Sequence, residues 1–431
     1  MLSQRVSRSG LLMSVVVVTS VFLLLVIFAQ RSGYASPEGP AKAAVTLDDD
    51  YIVLGWNDLG MHCYNRNFQD LAVLPPFNTL WAQVVRRGDP PEIVTGGITV
   101  TFSFPDNTYS VGKSNFWDYD VPLFGVDLPP DVGLTGTGLS GEMELQTDHF
   151  VAEGIPLTEF RDSDPLNPYP YQLAAITVHD AATEAVLAQA TVVAPVSTEM
   201  NCDDCHYDGG VEDIATGRVE TNILTLHDRE HLDEYPTTAS EPLMDRRPIL
   251  CASCHSSNAL GTPTVEDIPS LSNAMHGDHS EVVSSNLEGC YQCHPGPQTQ
   301  CLRDTMYQSG MECVDCHGDM ETVGQNPAPW LSEPRCDNGA CHGSGYQQNQ
   351  PLYRMSQEHG GLYCAACHDS PHAIAPSAQP NDNIKFLALQ MFPSALQDCG
   401  VCHTVAPTGA GPHGLTESQL ERIYLPRLFH N

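Results

Sequence analysis

The chain has 431 residues, with 53 acidic against 19 basic side chains and a formal net charge of −34 at pH 7. That length accommodates two or three domains. So acidic a surface repels nucleic acid and anionic lipid headgroups, which argues against nucleic-acid binding and favours basic proteins or cations as partners.

In chain order, Arg5 and Arg8 precede an uncharged run from Leu11 to Ala29, and Arg31 follows it. The pattern reads as an export signal over residues 1–35, with small residues for cleavage at Gly33-Tyr34-Ala35. The run is longer than the ~7–15 residues of a signal core and close to the ~20 that span a bilayer. A retained membrane tether through residues 11–29 is therefore the second reading. Both export the body of the protein, to the periplasm, the cell surface or the medium. Residues 36–47, rich in Pro, Ala and Gly, read as a linker.

Residues 48–198 carry strand patterning. Ile98, Val100, Phe102 and Phe104 alternate with Thr99, Thr101 and Ser103, a strict period of two, and Pro105-Asp106-Asn107 supplies a turn. A second hairpin is predicted from Ile176 and Val178, through a turn at Asp180–Glu184, to Val186, Ala188, Ala190 and Val192. Short strands with Gly and Pro punctuation predict an all-β, sandwich-like domain. From residue 199 to 431 the alternation disappears and Cys, His, Gly and Pro dominate. The prediction is a multidomain chain, with a β-rich domain followed by a mostly irregular domain of short helices.

Six copies of Cys-x-x-Cys-His fall in that second part. In chain order with a seventh, wider variant they define site 1 (Cys202, Cys205, His206), site 2 (Cys251, Cys254, His255), site 3 (Cys290, Cys293, His294), site 4 (Cys313, Cys316, His317), site 5 (Cys336, Cys341, His342), site 6 (Cys364, Cys367, His368) and site 7 (Cys399, Cys402, His403). Cysteines at i and i+3 lie on one face of a helical turn, so both sulfurs reach the two vinyl groups of one porphyrin. The histidine that follows sits under the iron as its proximal ligand. Site 5 has four intervening residues and works if the extra ones bulge outward, which Gly339 eases. Zinc clusters and disulfide frameworks also use paired cysteines, but neither requires a His directly after each second Cys. The cofactor expected is haem c, seven copies, covalently attached.

The motif array resembles the multihaem c-type cytochromes of metal- and sulfur-respiring bacteria. Those families mix the two spacings and show runs like Cys364-Ala-Ala-Cys367-His368-Asp-Ser-Pro-His372-Ala. The stretch Gly55-Trp56-Asn57-Asp58-Leu59-Gly60-Met61-His62-Cys63 is similar to a domain of exported multihaem proteins. The resemblance implies distal ligands in His pairs, or four residues after a proximal His.

Full bis-imidazole ligation needs seven distal histidines, and the candidates are His227, His231, His276, His279, His359, His372 and His413. His430 is an eighth, at a chain end where order is least expected. His62 is a weaker candidate, while His149 and His179 read as strand or turn surface. Cys63 and Cys301 are left over, free to pair in an oxidising compartment or to remain thiols.

Successive proximal histidines are 49, 39, 23, 25, 26 and 35 residues apart. So little chain around seven porphyrins cannot build a conventional apolar core, so the haems themselves form it and lie close together. The function expected is electron relay to a redox partner protein or an extracellular acceptor. Two alternatives remain: a multihaem oxidoreductase acting on an N- or S-oxyanion, and a subunit of a conducting homopolymer or outer-membrane conduit. The enzyme needs one iron with an open position, which the histidine count does not demand.

Overall fold

The computed structural model describes residues 50–415. The leader and tether readings, the linker at 36–47 and His430 lie outside the described residues. Among the described residues no helix is long and apolar enough to cross a membrane.

The N-terminal region is β-rich. Eleven strands precede the first Cys cluster: β1 (Tyr51–Asn57), β2 (His62–Cys63), β3 (Leu71–Ala72), β4 (Asn78–Arg86), β5 (Glu92–Ile93), β6 (Ile98–Ser103), β7 (Ser140–Glu142), β8 (Glu144–Leu145), β9 (Phe150–Ile155), β10 (Tyr171–Asp180) and β11 (Val186–Ser197). Ten of them, all but β3, form two five-stranded sheets. One runs β1-β4-β9-β8 with β5 on β4, and the other runs β2-β11-β10-β6-β7. Both predicted features are present. On β6, Val100 and Phe102 point inward, and Phe104 is buried just beyond its end. The strands β10 and β11 pair antiparallel from Tyr171↔Pro195 to His179↔Val186.

The inner faces meet in one apolar core that includes Val53, Leu80, Val84, Phe102, Ile155, Ile176 and Val192. β1 is buried on both faces. Val53 points into that core, while Ile52, Leu54 and Trp56 join a second cluster with Tyr353, Leu362, Tyr363, Ala365, Ala366, Leu389 and Val401. A sheet face that would ordinarily meet water is thus covered by the Cys/His-rich half.

That half holds few regular elements. The ones that matter are α1 (Val219–His231), α2 (Leu271–His279), α3 (Cys313–His317), α4 (Met320–Gln325), α5 (Cys364–His368) and α6 (Ile384–Gln390), with a two-residue strand β12 (Ile249–Leu250) paired to β3. Ser270 caps α2 by accepting from the amide of Asn273, and Asp319 caps α4 by accepting from that of Thr322.

The described residues belong to one compact unit, and polar contacts cross the change of architecture near residue 199. Fully buried Arg303 donates to both Asp382 carboxylate oxygens at 2.7 and 3.1 Å, to Gly60 O at 2.9 Å and to Cys301 O at 2.9 Å. Ser370 donates to Asn57 O at 2.6 Å, and Gln83 exchanges two bonds with Gly361 O and the Tyr363 amide, both at 3.0 Å. Cys63 and Cys301 are both thiols, half-buried at this seam near enough to feel each other's charge, and desolvation pushes the Cys63 pKa up to about 12.

Candidate haem-binding sites

Each Cys cluster closes a single turn. The amide of His206 donates to Cys202 O at 2.9 Å, and the same bond recurs from His255 to Cys251 at 3.1 Å, His294 to Cys290 at 2.9 Å and His403 to Cys399 at 2.9 Å. Sites 4 and 6 are the helices α3 and α5. Site 5 makes the same closure with two more residues inside it, His342 N to Cys336 O at 3.3 Å. The surplus is taken up at Asn338, whose carbonyl accepts from Cys341 N at 2.9 Å and Gly343 N at 3.0 Å. The cluster cysteines are half-buried or exposed, and none is joined in a disulfide. Among the described residues no three His, Cys, Asp or Glu side chains converge as a cage for a bare metal ion.

The histidines pair across space. His206 faces His279 with ring centroids 6.3 Å apart, His255 faces His227 at 6.1 Å, and His294 faces His276 at 6.1 Å. His317 faces His372 at 6.2 Å, His403 faces His359 at 6.1 Å and His368 faces His413 at 5.8 Å. Two imidazoles bonded to opposite sides of one metal at about 2.0 Å, each nitrogen about 1.1 Å from its ring centre, stand about 6.2 Å apart. With inward nitrogens about 4 Å apart, such rings cannot hydrogen-bond each other. Six Cys-cluster histidines therefore have a second imidazole at the separation that an intervening iron would require.

In five of these twelve histidines Nδ1 has a partner of its own. His276 Nδ1 donates to Ser272 O at 2.8 Å, His279 Nδ1 to Met275 O at 2.7 Å and His255 Nδ1 to Pro269 O at 2.9 Å. His227 Nδ1 lies 2.7 Å from the Tyr235 hydroxyl, which itself donates to Asp228 at 2.8 Å. His403 Nδ1 lies 3.3 Å from Asp89, on the loop after β4. Anchoring Nδ1 fixes the tautomer that leaves Nε2 for the metal. Tyr235 and Asp89 were not expected from sequence, and no spacing signal marks either.

The histidines that face the Cys clusters are presented in two ways. His227 lies on α1, and His276 and His279 on α2, where their i,i+3 spacing aims them at two different sites. His359, His372 and His413 have left-handed backbones, with φ of 43°, 63° and 57°. Such strain in non-glycine residues concentrates at functional positions. Burial holds the pKa of His294 and His368 down at about 4 and that of His372 at about 3.

The remaining expected ligand, His231, stands apart. Its ring is 5.2 Å from that of His227, its Nδ1 is 2.9 Å from Glu234, and its Nε2 faces Glu230 at 3.9 Å. Among the described residues no Cys-cluster imidazole lies opposite it. His62 bonds Asp58 at 2.8 Å, and His179 lies 3.3 Å from the Thr101 hydroxyl. His149 is a correction to the surface reading: it is buried, stacked on Trp81 at 4.3 Å, because Tyr363 and its neighbours cover that face of the sheet.

Contacts between clusters define an order. Cys251 interacts electrostatically with Cys202, Cys202 with Cys293, and Cys290 hydrogen-bonds Cys313. Cys316 interacts with Cys341, Cys336 with Cys364, and Cys367 with Cys402. The sites follow one another as 2-1-3-4-5-6-7. Comparison with known protein families, with curated proteins and with solved structures returns no match.

Proposed function

We propose that this chain is an exported multihaem cytochrome c that relays electrons through seven thioether-linked haems. The carrying observation is the set of six imidazole pairs at 5.8–6.3 Å, each joining a Cys-cluster histidine to one remote in sequence or on another turn. The absence of a bare-metal cage among the described residues and the recurrent Cys-carbonyl-to-His-amide turn favour a porphyrin over directly bound zinc.

When bound, low-spin haem supplies a one-electron couple whose geometry changes little between its states. The chain's own residues do the rest. The paired histidines would hold each iron between them, leaving no open coordination for substrate chemistry at those sites. Carbonyls of Ser272, Met275 and Pro269 polarise the imidazoles, strengthening their donation and favouring the oxidised state. Adjacent clusters are held close, and tunnelling rates fall steeply with gap, so the 2-1-3-4-5-6-7 order supports one path with sites 2 and 7 at its ends. A redox partner protein or an extracellular acceptor is the proposed terminus.

The test is protein matured with its export machinery. A pyridine haemochrome assay and an intact mass are expected to give seven haems per chain. Bare thiols or bound zinc in the mass spectrum would end this reading.

A further inference from the structure

Fourteen of the sixteen cysteines belong to the seven clusters, and Cys63 and Cys301 are the two left over. About 240 residues separate them in sequence, yet the fold brings them to one place. Cys63 stands opposite Ser197 in the parallel β2–β11 ladder, so both side chains leave the same face of that sheet. Val193, four residues earlier on β11, and Tyr171, opposite Pro195 on β10, share the face.

The segment that carries Cys301 lies against this face. Thr299 Oγ1 is 2.9 Å from Ser197 Oγ, and the Tyr171 hydroxyl donates to the carbonyls of Thr299 and Gln300. Cys301 itself packs on Met61, Tyr171 and Val193. On the other flank one guanidinium spans both chains, with Arg303 Nη1 donating to Cys301 O and Nη2 to Gly60 O, each at 2.9 Å. The ties at Ser197–Thr299 and at Gly60–Arg303 bracket the two sulfurs between them.

We propose that Cys63 and Cys301 are a disulfide-forming pair whose oxidation staples the β-rich half to the loop between sites 3 and 4. The structure describes the dithiol form. The competing reading is two thiols packed as small apolar side chains. The oxidant is a disulfide-bearing donor of the export compartment. One thiolate attacks the donor's disulfide, and the second displaces the donor from the mixed disulfide. One S–S bond forms in the chain and one breaks in the donor, which takes both electrons and both protons and leaves as a dithiol. The exchange belongs to maturation, before the seam closes. Once it is packed, desolvation raises the Cys63 pKa to about 12 and that of Cys301 to about 11, leaving little thiolate at neutral pH. The finished bond closes a loop of about 240 residues and so removes much of the unfolded chain's freedom. Of the reading above, this inference uses the export and not the haems.

The experiment uses full-length, export-matured protein, unfolded in guanidinium with excess iodoacetamide and no reductant, then digested and mapped by mass spectrometry. Expected are no label on Cys63 or Cys301 and a cross-linked peptide containing both, two hydrogens lighter than the separate thiols. Prior reduction with a phosphine is expected to label both. Labels on the cluster cysteines would mark failure of the haem reading, and they are counted on other peptides. In Cys63→Ser, Cys301 is expected to take the label without reductant. In Cys63→Ser/Cys301→Ser the thermal midpoint is expected to fall by several degrees. The proposal is overturned if both cysteines of the wild type label without reductant, or if either is linked to another cysteine or another copy of the chain. An unchanged midpoint in the double variant equally overturns the staple. Should the variants not mature, the wild-type map alone decides.

Discussion

A histidine that serves an iron keeps one ring nitrogen free, and the partner of its other nitrogen decides which one. His276 and His231 show the two outcomes. His276 ties Nδ1 to Ser272 O and has the His294 ring 6.1 Å away, whereas His231 has a glutamate near each nitrogen. His276→Ala is expected to convert one haem in seven from low-spin to high-spin in the EPR spectrum. His231→Ala is expected to leave all the low-spin signals in place. Sequence treated the two residues alike, because each belongs to a closely spaced His pair on a helix. The carboxylates that separate them, Glu230 and Glu234, are in plain view but become informative only once the fold sets them beside the His231 ring.

The same rings set an acid limit. His294, His368 and His372 are held neutral by burial, with pKa values of about 4, 4 and 3 against an ordinary 6.5. Above pH 6.5 they are neutral whether the chain is folded or not, and pH has no leverage through them. As pH falls below 6.5 the unfolded chain takes up protons the folded one refuses, so stability drops by up to about 1.4 kcal/mol per pH unit for each residue. Iron bonded to the same nitrogens acts in the same direction. The thermal midpoint is therefore expected to fall between pH 6.5 and 5, before most carboxylates titrate, with high-spin signals appearing on further acidification. A midpoint flat across that window would show that these imidazoles are not held neutral.

At the scale of elements, α2 is the clearest case of one piece serving two sites. Its His276 faces site 3 and its His279 faces site 1, so the helix couples them mechanically. Asn273 moors it, donating to Gly324 O at 2.9 Å and to Asn326 O at 2.7 Å at the end of α4. Asn273→Ala removes both bonds and leaves two carbonyls without that partner, at a cost of about 1–3 kcal/mol. The expected spectroscopic result is paired: sites 1 and 3 weaken together and the other low-spin signals persist. Loss at one site alone would mean the two histidines are held independently. The β elements were legible in proportion to their one-sidedness. β6 alternates because one face is wet, and its pattern was read directly. β1 has Ile52, Leu54 and Trp56 on one face and Val53 on the other, all buried, which erases the alternation. The second face is covered by residues some 300 positions later, a contact no local window contains. The left-handed turns at His359, His372 and His413 were invisible for a similar reason, although Gly360 and Gly414 beside two of them fit such turns.

For the whole molecule, the seven Cys/His clusters were readable because each keeps a nearly fixed local spacing, the spacing that the proposed haem attachment would require. The pairing of the histidines across space and the 2-1-3-4-5-6-7 order were not, since each depends on tertiary contact. Site 2 precedes site 1 in space because α1 carries His227 back to His255, while α2 carries His279 back to His206. Charge acts at this largest scale too. With 53 acids and 19 bases, the molecule presents a negative field to anything that approaches it, screened over about 8–10 Å at ordinary salt. Reduction by a cationic outer-sphere donor such as hexaammineruthenium(II) should slow as ionic strength rises, and reduction by anionic dithionite should accelerate. Stopped-flow traces at the Soret band give both slopes from one preparation. Opposite signs are expected whichever haem is the entry point, because steering acts on the encounter and not on the tunnelling that follows it. Equal slopes for the two reductants would mean that the acidic groups are neutralised where electrons enter, and would direct the search for the natural partner away from basic proteins.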